Sequence, residues 1–272
     1  MPPAVRGQYA SPPPMYRQRA DGLLKGKIYV MGAEAWGGSI TAECLDPETD
    51  EWTVVPCDSM TEKKRTAYGT ASLDGKVYVV GGYKSGGVGQ GVLRSVECFD
   101  PSTEQWSDVA PMNAARCQHA VAALDNKIYA VGGDSTGSGN YIIASVECFD
   151  PSTGVWSMVA PIRLARTLFG MAAVGGKLYA MGGSDENGDA LSSVECFDPS
   201  TGVWSAVADM GTARVEHGVA AVDGKLYAVG GQDEDETTLS SVECFDPSTG
   251  VWSAVAAMNT TRAAHGVAVV DF

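Results

Sequence analysis

Short apolar runs alternate along the chain with clusters of Gly, Asp, Pro, Ser and Thr, and no ten-residue stretch holds the i, i+3, i+4 spacing of an amphipathic helix. Four runs recur in a fixed order. Run a reads RVEHGVAAV from Arg214, run b KLYAVGG from Lys225, run c SSVECFD from Ser240 and run d GVWSAVA from Gly250. Each is rich in β-branched and aromatic residues and bounded by turn formers, so each is predicted to be a strand. Turns as tight as Asp-Gly and Asp-Pro-Ser-Thr-Gly predict an antiparallel meander.

The four runs form a unit that is written five times. Cys44, Cys98, Cys148, Cys196 and Cys244 stand at one equivalent place, and a Trp follows each by eight residues, as Trp52, Trp106, Trp156, Trp204 and Trp252. A Gly pair keeps the same beat at Gly81-Gly82, Gly132-Gly133, Gly182-Gly183 and Gly230-Gly231, with Gly32-Ala33 as a degenerate first copy. In the c–d turn the Asp side chain bonds back to the main chain, Pro fixes φ and Gly accepts the left-handed position. The first two units carry Asp50 and Glu104 in place of that Gly, where a strain of about 1 kcal/mol is expected. The Trp after each turn brings about 150–250 Å² of surface, worth about 4–6 kcal/mol as an upper bound if buried. A four-stranded sheet that is apolar on both faces needs a neighbour on each side, so the five Trp are expected to wedge each sheet onto the next around an axis.

Arg opening run a, Gly-Gly closing b, an acidic residue and an aromatic before Asp-Pro in c, and Trp in d together resemble the kelch repeat over residues 25–272. The expected fold is therefore all-β: a five-bladed kelch-type β-propeller with four-stranded antiparallel blades. The ordered chain starts with run b and ends with run a, and kelch rings commonly close by terminal exchange. The resemblance thus implies that residues 262–272 complete the first blade. The expected blades are 25–60 plus 262–272, 61–112, 113–162, 163–210 and 211–261, preceded by a flexible proline-rich leader at 1–24. MYRQRADGLL resembles a decayed run a, so a truncated larger ring stays open as an alternative.

In such a meander the a–b and c–d turns share one rim, and the d–a and b–c loops share the other. The first rim is nearly invariant. On the second, the b–c loops diverge completely, from AEAWGGSI to DSTGSGNYIIA to QDEDETTL. Copies of one unit diverge where packing does not constrain them, and loops on a rigid scaffold are where recognition concentrates. The resemblance implies a partner gripped on this rim and at the channel mouth. The candidates are Arg65, Arg116, Arg166, Arg214 and Arg262, then Thr66, Cys117, Thr167, Val215 and Ala263, then Tyr83, Asp134, Ser184 and Gln232. Five Arg matched by the five Glu that precede the repeated Cys look first like a repeated internal brace, and the two readings can coexist if only some fork nitrogens are used internally. Trp36, outside the Trp register, joins Tyr83 and Tyr141 as a candidate aromatic rim.

His119, His217 and His265 share one position in run a, a metal site in principle. Tyr68 and Phe169 fill that position in the other units, which favours a packing role. The acidic loops at Asp185-Glu186 and Asp233–Glu236 read as solvated surface. No nucleophile, base and orienter set stands out, and no cofactor motif is present.

A net charge of −14 argues against nucleic-acid or anionic-membrane surfaces. No run is long enough to cross a membrane as a helix. Cysteines at equivalent points of successive units are too far apart to pair, which favours a reducing compartment, cytoplasmic or nuclear. The expected function is a non-enzymatic adaptor or scaffold with a protein or peptide partner, alone or as a subunit of a larger complex. The alternative is a propeller enzyme with a metal or acid–base site at the channel mouth.

Overall fold

A computed structural model describes residues 28–33, 40–46, 49, 51–61, 64–85, 91–137, 139 and 141–267. The leader, Trp36 and residues 268–272 lie outside the described residues. The first sheet holds β1 (Ile28–Ala33), β2 (Ile40–Asp46) and β3 (Glu51–Val55). Next in the chain come β4 (Arg65–Thr66), β5 (Gly69–Leu73), β6 (Lys76–Val80), β7 (Tyr83–Lys84), β8 (Gly91–Val92), β9 (Val96–Asp100) and β10 (Gln105–Val109). Of these, β5, β6, β9 and β10 make the second sheet, while β4, β7 and β8 form a small ladder above it. The third sheet is β11 (Ala120–Leu124), β12 (Lys127–Val131), β13 (Val146–Asp150) and β14 (Val155–Val159). The fourth is β15 (Gly170–Val174), β16 (Lys177–Met181), β17 (Val194–Asp198) and β18 (Val203–Val207). The fifth is β19 (Gly218–Val222), β20 (Lys225–Val229), β21 (Val242–Asp246) and β22 (Val251–Val255). All pairings are antiparallel, and the register is the same in each copy: Tyr129 faces Cys148 and Phe149 faces Trp156, as Tyr179 faces Cys196 and Phe197 faces Trp204.

Burial follows the position of each strand in its sheet. All four residues of Val-Glu-Cys-Phe are buried in β9, β13, β17 and β21, because both faces of these strands are covered. In β10, β14 and β18 the Trp is the one fully buried residue, as suits an outer edge strand.

The apolar core lies between sheets. Tyr29 and Cys44 of the first sheet cluster with Phe99 and Trp106 of the second, and the next three joints repeat the arrangement. At each joint the indole N–H donates to the carbonyl just beyond the preceding outer strand: Trp106 to Pro56 at 2.8 Å, Trp156 to Ala110 at 2.8 Å, Trp204 to Ala160 at 3.0 Å and Trp252 to Ala208 at 2.9 Å. The same indoles stack on the Phe of their own sheet, with ring centroids 5.1–5.2 Å apart. Each Phe in turn meets the Tyr of the preceding sheet, as Phe149 meets Tyr78 at 6.2 Å. The innermost strands β5, β11, β15 and β19 converge on one cavity of about 140 Å³, so the sheets are arrayed about a common axis.

The first sheet departs from expectation. Trp106, Trp156 and Trp204 are 5–6% exposed, whereas Trp52 is 52% exposed. The expectation of five wedged indoles is thereby corrected: among the described residues no preceding sheet lies against Trp52, and the residue beneath it is Leu45 where the other copies have Phe. Among the described residues this sheet has three strands. Residues 262–267 lie beside the fifth sheet as each run a lies beside the sheet before it: Gly231 donates to the Arg262 carbonyl at 2.7 Å, as Gly183 does to that of Arg214, and Ala264 donates to the Glu216 carbonyl at 2.8 Å.

Candidate functional site

The repeated arginines sit inside the scaffold. The Arg116 Nη1 donates to the carbonyls of Gly132 and Ser145, both at 3.0 Å, and its Nη2 donates to Ser145 Oγ at 3.2 Å and Glu147 Oε1 at 2.8 Å. Arg65, Arg166 and Arg214 reach Glu97, Glu195 and Glu243 in the same way at 2.6, 3.0 and 2.7 Å. These four side chains are 0% exposed. The expectation that they contact a partner is corrected by that burial: the fork nitrogens tie the Gly pair of run b to the Ser that opens run c. Arg262 alone is exposed.

Each Glu also holds the loop from the preceding outer strand. Glu147 accepts from the backbone N–H of Asn113 at 2.6 Å and of Ala114 at 3.0 Å, and Glu195 accepts likewise from Arg163 and Leu164. Burial acts to raise the Glu147 carboxyl, but those two N–H groups and the Arg116 guanidinium hold it below the ordinary value. Burial draws Arg116 and Arg166 down from theirs.

The residues after the Gly pair do a second structural job. Asp134 bridges both Cys117 and Ile142, Ser184 bridges Thr167 and Ala190, and Gln232 bridges Val215 and Thr238. In the second sheet the same arrangement lengthens into β4–β7–β8 and holds Tyr83 and Thr66. A small main-chain ladder thus stands at the rim in four units, and the divergent loops hang from it. The Asp134 carboxylate is buried and turned onto its own loop, accepting from Thr136 N at 2.7 Å and Thr136 Oγ1 at 2.9 Å. Ser184, Gln232 and Tyr83 are partly exposed, and Tyr141 is 67% exposed. Ala263, beyond the last Arg, is half-buried.

A feature that the sequence reading missed runs from sheet to sheet along the cavity. The residue two places after each Arg has a left-handed backbone: Ala67 (φ 52°), Gln118 (φ 53°), Leu168 (φ 55°), Glu216 (φ 55°) and Ala264 (φ 51°). Their peptides join from sheet to sheet, Gln118 N to Ala67 O, Leu168 N to Gln118 O, Glu216 N to Leu168 O and Ala264 N to Glu216 O, at 2.8–3.1 Å. Gln118 and Glu216 thereby line the cavity mouth together with Thr70. Non-glycine residues at this position conceal the left-handed turn, and only its strict place in the repeat marks it.

The histidines pack on glycine. A Cβ on Gly81 would lie 2.8 Å from His119 Cε1, on Gly182 2.9 Å from His217 Cε1, and on Gly132 3.1 Å from the equivalent Phe169. The imidazole or phenyl ring of one sheet therefore occupies the space that the first glycine of the preceding sheet leaves open. Burial, reinforced by the neighbouring Arg116 and Arg214 guanidinium groups, drives His119 well below the usual imidazole value and His217 to about 3. Among the described residues no three His, Cys, Asp or Glu side chains are grouped to hold a metal ion. All seven cysteines are free thiols, and the five repeat-register copies are buried.

A family profile described as KLHDC2/KLHL20/DRC7 Kelch-repeats domain matches residues 4–167, and one described as Kelch motif matches 165–211 and 213–259. The chain belongs to the kelch-repeat β-propeller family. The first kelch match begins within the segment expected to be a leader. The "Structure of YjhT" superposes with a TM-score of 0.81 over 95% of this chain and 89% of that one at 15% identity, a likeness of fold alone. Kelch-like protein 26 of Danio rerio is 35% identical over 112 residues, covering 41% of this chain and 18% of that protein. Kelch-like ECH-associated protein 1A of Danio rerio is 37% identical over 111 residues, 39% of this chain and 17% of that protein. The human Influenza virus NS1A-binding protein is 35% identical over 91 residues, 34% of this chain and 13% of that protein. The matched kelch stretch thus spans less than a fifth of each of these relatives.

Proposed function

We propose that this chain is a non-enzymatic protein-binding module, an adaptor or scaffold, whose partner is a protein or peptide held by the b–c loop rim and the channel mouth. One observation carries the reading: in four blades the same rim ladder displays a loop of unrelated sequence, while the repeated charges beneath it are consumed by internal bonds. The contact surface then consists of Tyr141, Tyr83, Ser184, Gln232, Gln118 and Glu216. The relative named for binding a viral protein supports protein as the ligand class. A reducing compartment, cytosol or nucleus, suits seven unpaired thiols.

The finer architecture belongs to the same proposal: five blades, with residues 262–272 supplying the innermost strand of the three-stranded first blade. The pairing pattern of the other joints supports it, because in the repeat register Arg262 corresponds to the arginines that pair with the other Glu, and Ala256 to the residues whose carbonyls accept from the other Trp.

Tyr83→Ala/Tyr141→Ala tests the rim. Partners recovered with the unsubstituted chain are expected to be lost, while Thr153→Ala on the opposite rim retains them. Unchanged recovery from the rim variant overturns the reading. So does stoichiometric copper, iron or zinc that His119→Ala and His217→Ala abolish.

A further inference from the structure

The joint between the fourth and fifth sheets differs from its predecessors at two positions of the connecting loop. Before the third sheet these are Pro111 and Asn113, and before the fourth Pro161 and Arg163; before the fifth they are Asp209 and Gly211. Asn113 shows what the second position does. Its Nδ2 donates to Glu147 Oε2 at 2.9 Å and to the Trp156 carbonyl at 3.3 Å, and Trp156 is buried. Gly211 offers only its backbone N–H, to Glu243 Oε2 at 2.6 Å, so no side chain from that position bridges Glu243 to the Trp252 carbonyl. Trp252 is partly exposed, although its indole N–H still reaches Ala208. A groove of about 580 Å³ opens here, with Asp209, Gly211 and Thr212 on one side and Glu243, Trp252 and Ala254 on the other. It shares no residue with the contact surface proposed above.

The groove carries an excess of negative charge. Burial acts to raise the Glu243 carboxyl, but Arg214, the Gly211 N–H and the Thr212 hydroxyl hold it below the ordinary value. The Arg214 fork is spent on Glu243, Ser241 and the Gly230 carbonyl. Asp209 is exposed and has no ion-pair partner among the described residues; its charge acts on Arg166, which is itself bonded to Glu195 at 3.0 Å. We propose that this groove receives an arginine side chain of a partner protein, its guanidinium standing where the Asn113 amide stands before the third sheet. Each wall suits that group: the planar face stacks on the Trp252 indole, and the fork N–H groups donate to the Asp209 carboxylate, Glu243 Oε2 and the Trp252 carbonyl. The chain itself places an arginine, Arg163, at the equivalent position before the fourth sheet.

The test follows the indole N–H signals of the six Trp in the nitrogen-15-labelled full chain by NMR, with Trp252→Phe identifying the signal of interest. The probes are N-acetyl-arginine methylamide and its citrulline counterpart, which keeps the shape and loses the charge. A saturable shift of the Trp252 signal is expected with the arginine probe, and binding at least about fivefold weaker with citrulline. Asp209→Pro/Gly211→Asn, which copies the loop before the third sheet, should abolish the shift while the other five indole signals stay in place. Asp209→Asn, which leaves the backbone and the shape of the loop alone, should weaken binding at least about threefold. No saturable shift of the Trp252 signal, an equal response to both probes, or binding that Asp209→Asn leaves unchanged overturns the proposal. Tyr83→Ala/Tyr141→Ala should leave the titration as it is, so a failure of the rim reading and a failure of this one are told apart.

Discussion

The first and third blades carry the same tryptophan in the same register, yet it does different things. Trp156 is almost fully enclosed, stacks on Phe149 and donates to Ala110, while Trp52 lies over Leu45 with half its surface in water. The Glu before each cysteine divides in the same way: Glu147 is buried with four donors, from Asn113, Ala114 and Arg116, and Glu43 is exposed. A kelch repeat therefore does not stabilise itself. Its Trp needs the blade before it, and its Glu needs the Arg and the loop that open its own blade; where these do not close on the residue, the same letter contributes less.

The largest contrast is expected at the brace. Arg116→Ala strands the buried Glu147 and should cost about 3–5 kcal/mol in urea unfolding, whereas Glu43→Ala, at an exposed carboxylate, should cost less than about 1 kcal/mol even with Arg262 opposite it. Comparable losses from both would show that the first blade is braced as tightly as the third. Trp156→Ala should cost about 3–5 kcal/mol in the same assay, and the half-exposed Trp52→Ala about 1 kcal/mol. An effect at Trp52 as large as that at Trp156 would mean that the closing joint buries it as the internal joints bury the others.

Titration separates the interior from the ends further. His119 and His217 are held neutral in the fold, so below the ordinary value of 6.5 the unfolded chain takes up protons that the folded chain refuses. Stability should be level above pH 7 and fall as pH drops from 6.5 toward 3, by about 1.4 kcal/mol per unit for each imidazole. Glu147 and Glu243, held low, add to the loss only below about 4.5, where the unfolded carboxyls protonate first. His217→Phe, which copies the phenyl ring that Phe169 places at the equivalent position, should flatten the slope; an unchanged slope would remove His217 as its source. The smallest effect is local. Glu104 takes the left-handed turn position at φ 55° that Gly154 takes at φ 68°, so Glu104→Gly should stabilise the chain by about 0.5–1 kcal/mol. Thermal melting would detect it.

The strands, the turns and the sheet register were readable because their chemistry is local: Asp150 Oδ1 does accept from Ser152 N at 2.9 Å, and Gly154 does take positive φ. The Arg–Glu brace was readable as one of two options, since five matched pairs imply partnership without saying where it lies. Burial decided between the options, and burial depends on neighbouring blades. The rim ladder and the left-handed residues around the channel escaped notice for a different reason. Single bridges such as Cys117 to Asp134 leave no alternating pattern, and Gln118 or Leu168 at positive φ look like ordinary strand residues. The fate of Trp52 was hidden because its letter is identical to the other four and only its surroundings differ.

The row of hydrogen bonds running from Ala67 to Ala264 links the sheets entirely through main-chain atoms. Since no side chain takes part, Ala, Gln, Leu, Glu and Ala serve there equally well, at the rim of the pore. The fold thus leaves a row of positions at which mutation can retune what touches the cavity without breaking the main-chain links from one sheet to the next.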